Sequence, residues 1–440
     1  MTRGPLLPEL LQFFLPLTIS SMLQIAFNAA DLIVVGRFGR PNALAAVGSN
    51  GALVNLVVNV LMGLATGGGV LCARWFGAGD RERLHRTVAT ALMVGLGGGA
   101  LFGVLGILLA RPLLRLVGSP AEVAPLAAVY LRLYFAGMPV IALYNFAGAA
   151  LRSTGNTRQP LIYLAVAGVL NVALNLFFVI VVGIDVAGVA LATVLSQCVS
   201  CFLTVRCLLR NQGLGLRDLR FSGRAFRRMV RIGLPAGIQG SLFSLSNFII
   251  QSSVNSFGAA TVAGNAASVS LESFLYCPQD GTQQAATTAV SQNLGAGLYD
   301  RTRRTANLCL AMLAAVTGLL VGLTLLLRRP LIGLYTSDPA AAEVALLRMS
   351  IVIVTFFFNG TMALYSGVNR GLGYSLLPTV ATLLGACGFR VIWVYTVFAA
   401  HPTLRTLYLV YPISWVLTTA VLVGEYLAVR KKPFRAGTPK

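Results

Sequence analysis

Of the ionisable residues that fall inside long apolar stretches of this chain, three acids and one base stand out, Asp31, Glu272, Asp280 and Arg390; Arg132 and Arg348 also lie within such stretches. A carboxylate at the middle of a bilayer costs roughly 3 kcal/mol or more, so such groups mark ion or proton pathways. Asp31 has Asn28 at i−3 and Gln24 at i−7, a single polar helical face that predicts a cavity wall. Asn171 and Asn175, four apart, share another face, and Thr193 in the next apolar stretch is placed to approach them. Glu272 and Asp280 lie in SVSLESFLYCPQDGTQQ, where Pro278 and Gly281 predict a kink or an unwound turn. Arg390 reads as the only clearly central cation, and a pair with Glu272 or Asp280 is expected, as a structural tie or as a gate. Tyr144, Phe274 and Tyr276 adjoin these polar positions and offer ring faces to a flat cation.

No enzyme constellation accompanies them. The two histidines, His85 and His401, sit in loops on opposite sides, which excludes a histidine-based metal site or triad. The glycine triplets at 67–69 and 97–99 lack the Lys and Ser/Thr of a phosphate loop and are expected to let helices pack closely. Neither a catalytic residue, nor a metal, nor an organic cofactor is expected.

These residues need helices that cross lipid. Of 440 residues 56% are apolar and 11% charged, with a mean hydropathy of +0.78, which is outside the range of soluble domains. A net charge of +21 would point to nucleic acid in a soluble protein. Here its distribution reads as topology, and no nucleic-acid partner is expected. With both termini cytoplasmic, Arg74, Arg81, Arg83, Arg86, the connector arginines from Arg206 to Arg231, and Arg301, Arg303 and Arg304 all face inward, together with a basic tail. Only Arg37, Arg40, Arg111, Arg115, Arg328, Arg329 and Arg405 face outward, which satisfies the positive-inside rule. The start, MTRGPLLPELLQFF, shows no removable signal peptide. Seven cysteines in apolar or inward segments are expected to be packing residues.

Apolar runs broken by Gly, Pro and charge predict twelve spans, near 10–36, 43–72, 87–110, 123–150, 160–182, 188–209, 230–256, 260–292, 305–327, 342–368, 377–399 and 406–429. The chain also repeats. Pro16 matches Pro235, Gly77 matches Gly295, and Arg152, Gly155 and Pro160 match Arg370, Gly373 and Pro378, all at an offset of 218 or 219. The expected fold is therefore an all-α polytopic membrane protein, with twelve transmembrane helices in two six-helix lobes related by a parallel pseudo-two-fold repeat. The lobes are expected at 1–209 and 230–440, joined by a basic cytoplasmic linker at 210–229. Asp31 has Ile250 opposite it in the second copy, while Glu272 and Arg390 answer to Val54 and Val172. A symmetric frame carries an asymmetric site.

The run NAADLIVVGRFGRPNALAAVGSNGALVN, the loops FGAGDRERLHRT and LGAGLYDRTRRT, ALRSTGNTRQP with VNRGLGYSLLP, and NVALNLFFVIV with DVAGVALATVLSQ together resemble the MATE (multidrug and toxic compound extrusion) family over nearly the whole chain. The resemblance implies a monomeric antiporter in a bacterial inner membrane that expels organic cations in exchange for protons or sodium. It assigns the protonation or ion site to Asp31, with Asn171, Asn175 and Thr193 beside it. The family commonly has aspartate where Asn175 stands; an amide binds no proton near neutral pH, which weakens the sodium alternative. A further branch of the family uses carboxylates where this chain has Phe243 and Asn359, so a second-lobe sodium site of that type is put in doubt. A lipid or lipid-linked oligosaccharide flippase of the same superfamily is the alternative within transporters, and a channel or receptor the alternative outside them.

Overall fold

The computed structural model describes residues 1–40, 42–116, 120, 122–215 and 218–430; the basic tail expected beyond Arg430 and part of the expected linker lie outside the described residues. Twelve long helical rods follow one another. They are α1 (Leu6–Phe38), α2 (Ala43–Ala78), α3 (Arg81–Leu116), α4 (Ala124–Ala136 and Met138–Ser153), α5 (Arg158–Leu176), α6 (Asp185–Gln212), α7 (Gly223–Asn255), α8 (Ala259–Gly295), α9 (Tyr299–Leu326), α10 (Pro339–Val352 and Phe356–Gly371), α11 (starting with Leu376–Thr382) and α12 (Leu404–Val429). Among the described residues, nine of these rods are long and apolar enough to cross a membrane, and a tenth is α4, which bends by 48° at Gly137. The two others, α7 and α8, are more polar. α8 can be so because its polar side chains, including Asn265, Ser268, Glu272, Gln279 and Gln292, are buried against protein.

Irregularity falls where the sequence did not announce it. α8 runs as continuous helix through Pro278, so the expected unwound turn is absent. Proline removes only its own N–H, and the Pro278 carbonyl accepts from Thr282 Oγ1 at 2.8 Å as well as from the helix. α5 instead passes into a π-helical stretch at Phe177–Val182, and α11 contains two, Leu383–Gly388 and Val394–Phe398, around Phe389–Trp393. α10 tightens into a 3₁₀ turn at Ile353–Thr355. The connector is shorter than expected, because α6 ends at Gly213 in the left-handed conformation and α7 has begun by Gly223.

The repeat is visible in the backbone. Gly79 and Gly297, equivalent positions of the two copies, take φ of 71° and 72°, and the equivalent pair Gly155 and Gly373 both take 98°. A side chain is strained at these angles, so each pair fixes the same turn in both copies.

The compact units are Met1–Thr18 with Leu242–Lys440, and Ile19–Ser241. They do not divide at the linker; the boundaries cut α1 and α7. The cause is a pair of glycine notches. In the second unit Gly63 and Gly67 of α2 meet Met229, Gly233 and Gly237 of α7 at backbone contact, the close approach that two small-xxx-small ridges allow. In the first unit Gly281 of α8, the counterpart of Gly63 in the second copy, receives Phe14 and Thr18 of α1. The leading half of each copy's first helix thus belongs with the other copy. A Cβ at Gly237 would stand 2.9 Å from the Val60 backbone. Gly237→Val should therefore destabilise the protein by about 1–3 kcal/mol, the range for overpacking, read as a lowered unfolding midpoint in detergent.

Candidate functional site

The unit Ile19–Ser241 builds a polar cluster around Asp31. Gly168 of α5 leaves room for the Phe27 ring of α1, where any Cβ would collide with it. One turn after Phe27, Asp31 then faces Asn175, nearly two turns after Gly168. Asn175 Nδ2 donates to Asp31 Oδ1 at 2.5 Å and to Asn171 Oδ1 at 3.3 Å. Asn171 Nδ2 donates to Thr193 Oγ1 at 3.4 Å, and that hydroxyl donates to the Val189 carbonyl at 3.0 Å. All four expected members of the coupling site are thus joined in one chain of hydrogen bonds.

Two properties of this cluster matter chemically. No cationic side chain pairs with Asp31 among the described residues. The Oδ1 of Asn175 is buried and receives no donor among them. A protonated Asp31 carries an O–H that can donate to that oxygen, whereas a carboxylate can only accept. Gln24 and Asn28 are exposed on α1. Sequence reasoning also passed over Tyr130 and Tyr134 of α4 in the same unit, whose rings stack with centroids 6.0 Å apart. Their i, i+4 spacing was the available signal. At the end of α1, Arg40 Nε pairs with buried Asp185 at 2.6 Å and fixes α1 to the start of α6.

The other unit corrects an expectation. Glu272 pairs with Arg348 of α10 and not with Arg390. Arg348 Nε donates to Glu272 Oε1 at 2.7 Å and Nη2 to Oε2 at 2.8 Å, a bidentate fork with both side chains buried. Ser268 and Asn265 complete it, Ser268 Oγ donating to Glu272 Oε1 at 3.0 Å and Arg348 Nη1 to Asn265 Oδ1 at 3.1 Å. The rings of Tyr408 and Tyr411 lie 5.3 and 4.9 Å from the guanidinium. Asn265, Ser268 and Glu272 occupy one face of α8 that α10 packs against, which is why Arg348 and not Arg390 reaches them.

The remaining candidates scatter. Asp280 is exposed and accepts from Gln284 Nε2 at 2.8 Å. Asn359 is buried and donates to Gln279 Oε1 at 2.8 Å; Gln279 in turn donates to the Phe356 carbonyl at 3.0 Å. Tyr144 is buried within α4 and lines no open surface. Phe274 and Tyr276 are exposed, with Tyr276 against the Phe356 ring at 4.9 Å. Arg390 is 1% exposed and is tied to Ser414 and Asn247.

The comparisons with known proteins agree with this architecture. The sequence profile of the MatE family matches twice, at residues 16–177 and 235–396. The second match is displaced from the first by the same offset as the internal repeat. A relative from Bacillus subtilis, the probable multidrug resistance protein YoeA, is 27% identical over 96% of this chain and 93% of its own length. A second from the same organism, the probable multidrug resistance protein YpnP, is 28% identical over 87% of this chain and 86% of its own. The crystal structure of a Vibrio cholerae MATE transporter, VcmN, superposes with a TM-score of 0.91 at 22% identity, covering 97% of this chain and 98% of that one, so the two share a fold.

Proposed function

The chain belongs to the MatE family of membrane transporters, and from that premise we propose that it is a secondary multidrug efflux antiporter that exports lipophilic organic cations in exchange for protons. The observation that carries the reading is the Asp31 cluster: a carboxylate within a membrane helix, without a cationic partner among the described residues, beside a buried acceptor that only its protonated form can satisfy. Asp31 ionised favours a bound organic cation. A proton arriving from outside cancels that charge and lets the acid donate to Asn175 Oδ1, so the bond that fixes α1 against α5 changes character as the cation loses its counter-charge. Proton and drug then compete for one charge, the minimal requirement of exchange by alternating access. Exchange of one proton for one monovalent cation moves no net charge, so the pH gradient drives it, and each pH unit supplies about 1.4 kcal/mol, equivalent to a roughly tenfold drug gradient.

The same reading places both termini and the basic loops on the cytoplasmic side of a bacterial inner membrane, with the monomer as the working unit. Asn175 supports proton over sodium, because a carboxylate there would add the second negative ligand that a sodium ion favours. Efflux of a fluorescent lipophilic cation from proteoliposomes, with pH and sodium gradients imposed independently, tests this. Efflux should follow the pH gradient at any sodium concentration; efflux that follows sodium at fixed pH would reassign the coupling ion. The flippase alternative expects an interior rich in uncompensated cations; the Glu272 pair neutralises Arg348, and Arg390, without a carboxylate among the described residues, is a single such charge.

A further inference from the structure

Arg390 is the buried ionisable group that a proton-coupled cation exporter leaves without a task. Its guanidinium is 1% exposed, and among the described residues no carboxylate pairs with it. It is held between ring faces, Phe243 at 4.9 Å and Tyr411 at 4.8 Å. Nε donates to Ser414 Oγ at 3.2 Å and Nη1 to Asn247 Oδ1 at 2.9 Å, while buried Nη2 has no acceptor among the described residues. Asn247 is itself exposed, so the guanidinium lies one side chain beneath an accessible face of α7.

Arg348, in the same unit, shows how this fold treats an arginine kept for structure, with a bidentate carboxylate and a neighbouring amide. Arg390 has only neutral acceptors and a spare donor adjacent to one of them. Nη1 and Nη2 form the fork that matches the two oxygens of a carboxylate or phosphate. One tine is capped by an amide oxygen and the other is empty. Arg390 also lies between the two π-helical stretches of α11, an irregularity that helices concentrate at functional sites.

The repeat gives this place a meaning. Asn247 is the second-copy counterpart of Asn28, Tyr411 is the counterpart of Thr193, and Arg390, opposite Val172, stands one position beyond the counterpart of Asn171. The α7, α11 and α12 site is thus the second copy of the α1, α5 and α6 site that holds Asp31, with its charge inverted. We propose that Arg390 is an anion-recognition residue, and that this site takes the carboxylate or phosphate oxygens of a solute, with Asn247 Oδ1 as the placeholder that the anion displaces. The chain then binds anionic or zwitterionic amphiphiles in addition to cations. This goes beyond cation export and does not depend on coupling at Asp31.

The test is equilibrium binding to the purified full chain in neutral detergent, without any gradient, followed by fluorescence polarisation. The probes share one ring system and differ in charge: 6-carboxyfluorescein as the anion and rhodamine 123 as the cation. Wild type should bind 6-carboxyfluorescein, and Arg390→Gln should weaken it roughly tenfold or more, the scale of a charge-assisted hydrogen bond. Asn247→Asp guards against misfolding, because it supplies Arg390 with a carboxylate partner in place; it should abolish binding of the anion while rhodamine 123 still binds. No binding of 6-carboxyfluorescein to wild type, or equal binding by wild type and Asn247→Asp, would overturn the assignment. A failure of proton coupling at Asp31 would leave these values unchanged, so the two claims fail separately.

Discussion

Glu272→Gln is expected to destabilise the protein by about 3–5 kcal/mol, the cost of leaving a buried charge without its partner. Arg348 is 3% exposed and cannot turn to water. The Tyr408 and Tyr411 ring faces and Asn265 Oδ1 remain, but the amide can accept only one of the two short bonds, carries no charge, and turns a donor toward the guanidinium. Thermal unfolding in detergent should show a large drop in midpoint for Glu272→Gln and for Arg348→Gln. The double replacement Glu272→Met with Arg348→Met should recover most of it, since well-packed apolar residues commonly replace a buried ion pair at no net loss. Transport per folded molecule should also return in the double variant. That outcome separates a structural tie from a gate, because a gate would be lost with its charges.

Asp31→Asn carries the second large effect. The amide mimics a permanently neutral acid in shape and still reaches Asn175, so the fold should persist. What disappears is the exchangeable proton. The drug gradient that proteoliposomes sustain under an imposed gradient of one pH unit should fall from roughly tenfold to none, leaving at most passive equilibration. Asp31→Glu should retain part of the gradient, because it keeps the acid while lengthening its reach past Asn175.

The members of the Asp31 cluster were legible in the sequence because each is marked locally, whereas their meeting, 144 residues apart, came from the family resemblance. Helical periodicity alone sets Asn171 and Asn175 on one face, and an isolated carboxylate in an apolar run draws attention to itself. The repeat was legible for a related reason, since turns that demand glycine keep glycine, as Gly79 with Gly297 and Gly155 with Gly373 show. The partner of Glu272 was not. It lies far along the chain, and its choice depends on how α10 rotates against α8, a tertiary fact that no spacing encodes. The face formed by Asn265, Ser268 and Glu272 was present as a hint, and Arg348 stood within an apolar run, but nothing local joined them. The division into units was hidden in the same way. Gly63 with Gly67 and Gly233 with Gly237 are two small-residue ridges in plain view, yet that they meet each other is settled only by packing.

Coupling between drug and proton is the centre of this account. It is tested most directly by trapping a pH-sensitive dye inside proteoliposomes, adding an organic cation with no gradient imposed, and following luminal pH for wild type and Asp31→Asn. Wild type should move protons against the drug as it crosses, and Asp31→Asn should move none. Equal proton movement in the two would show that Asp31 is not where the exchange takes place.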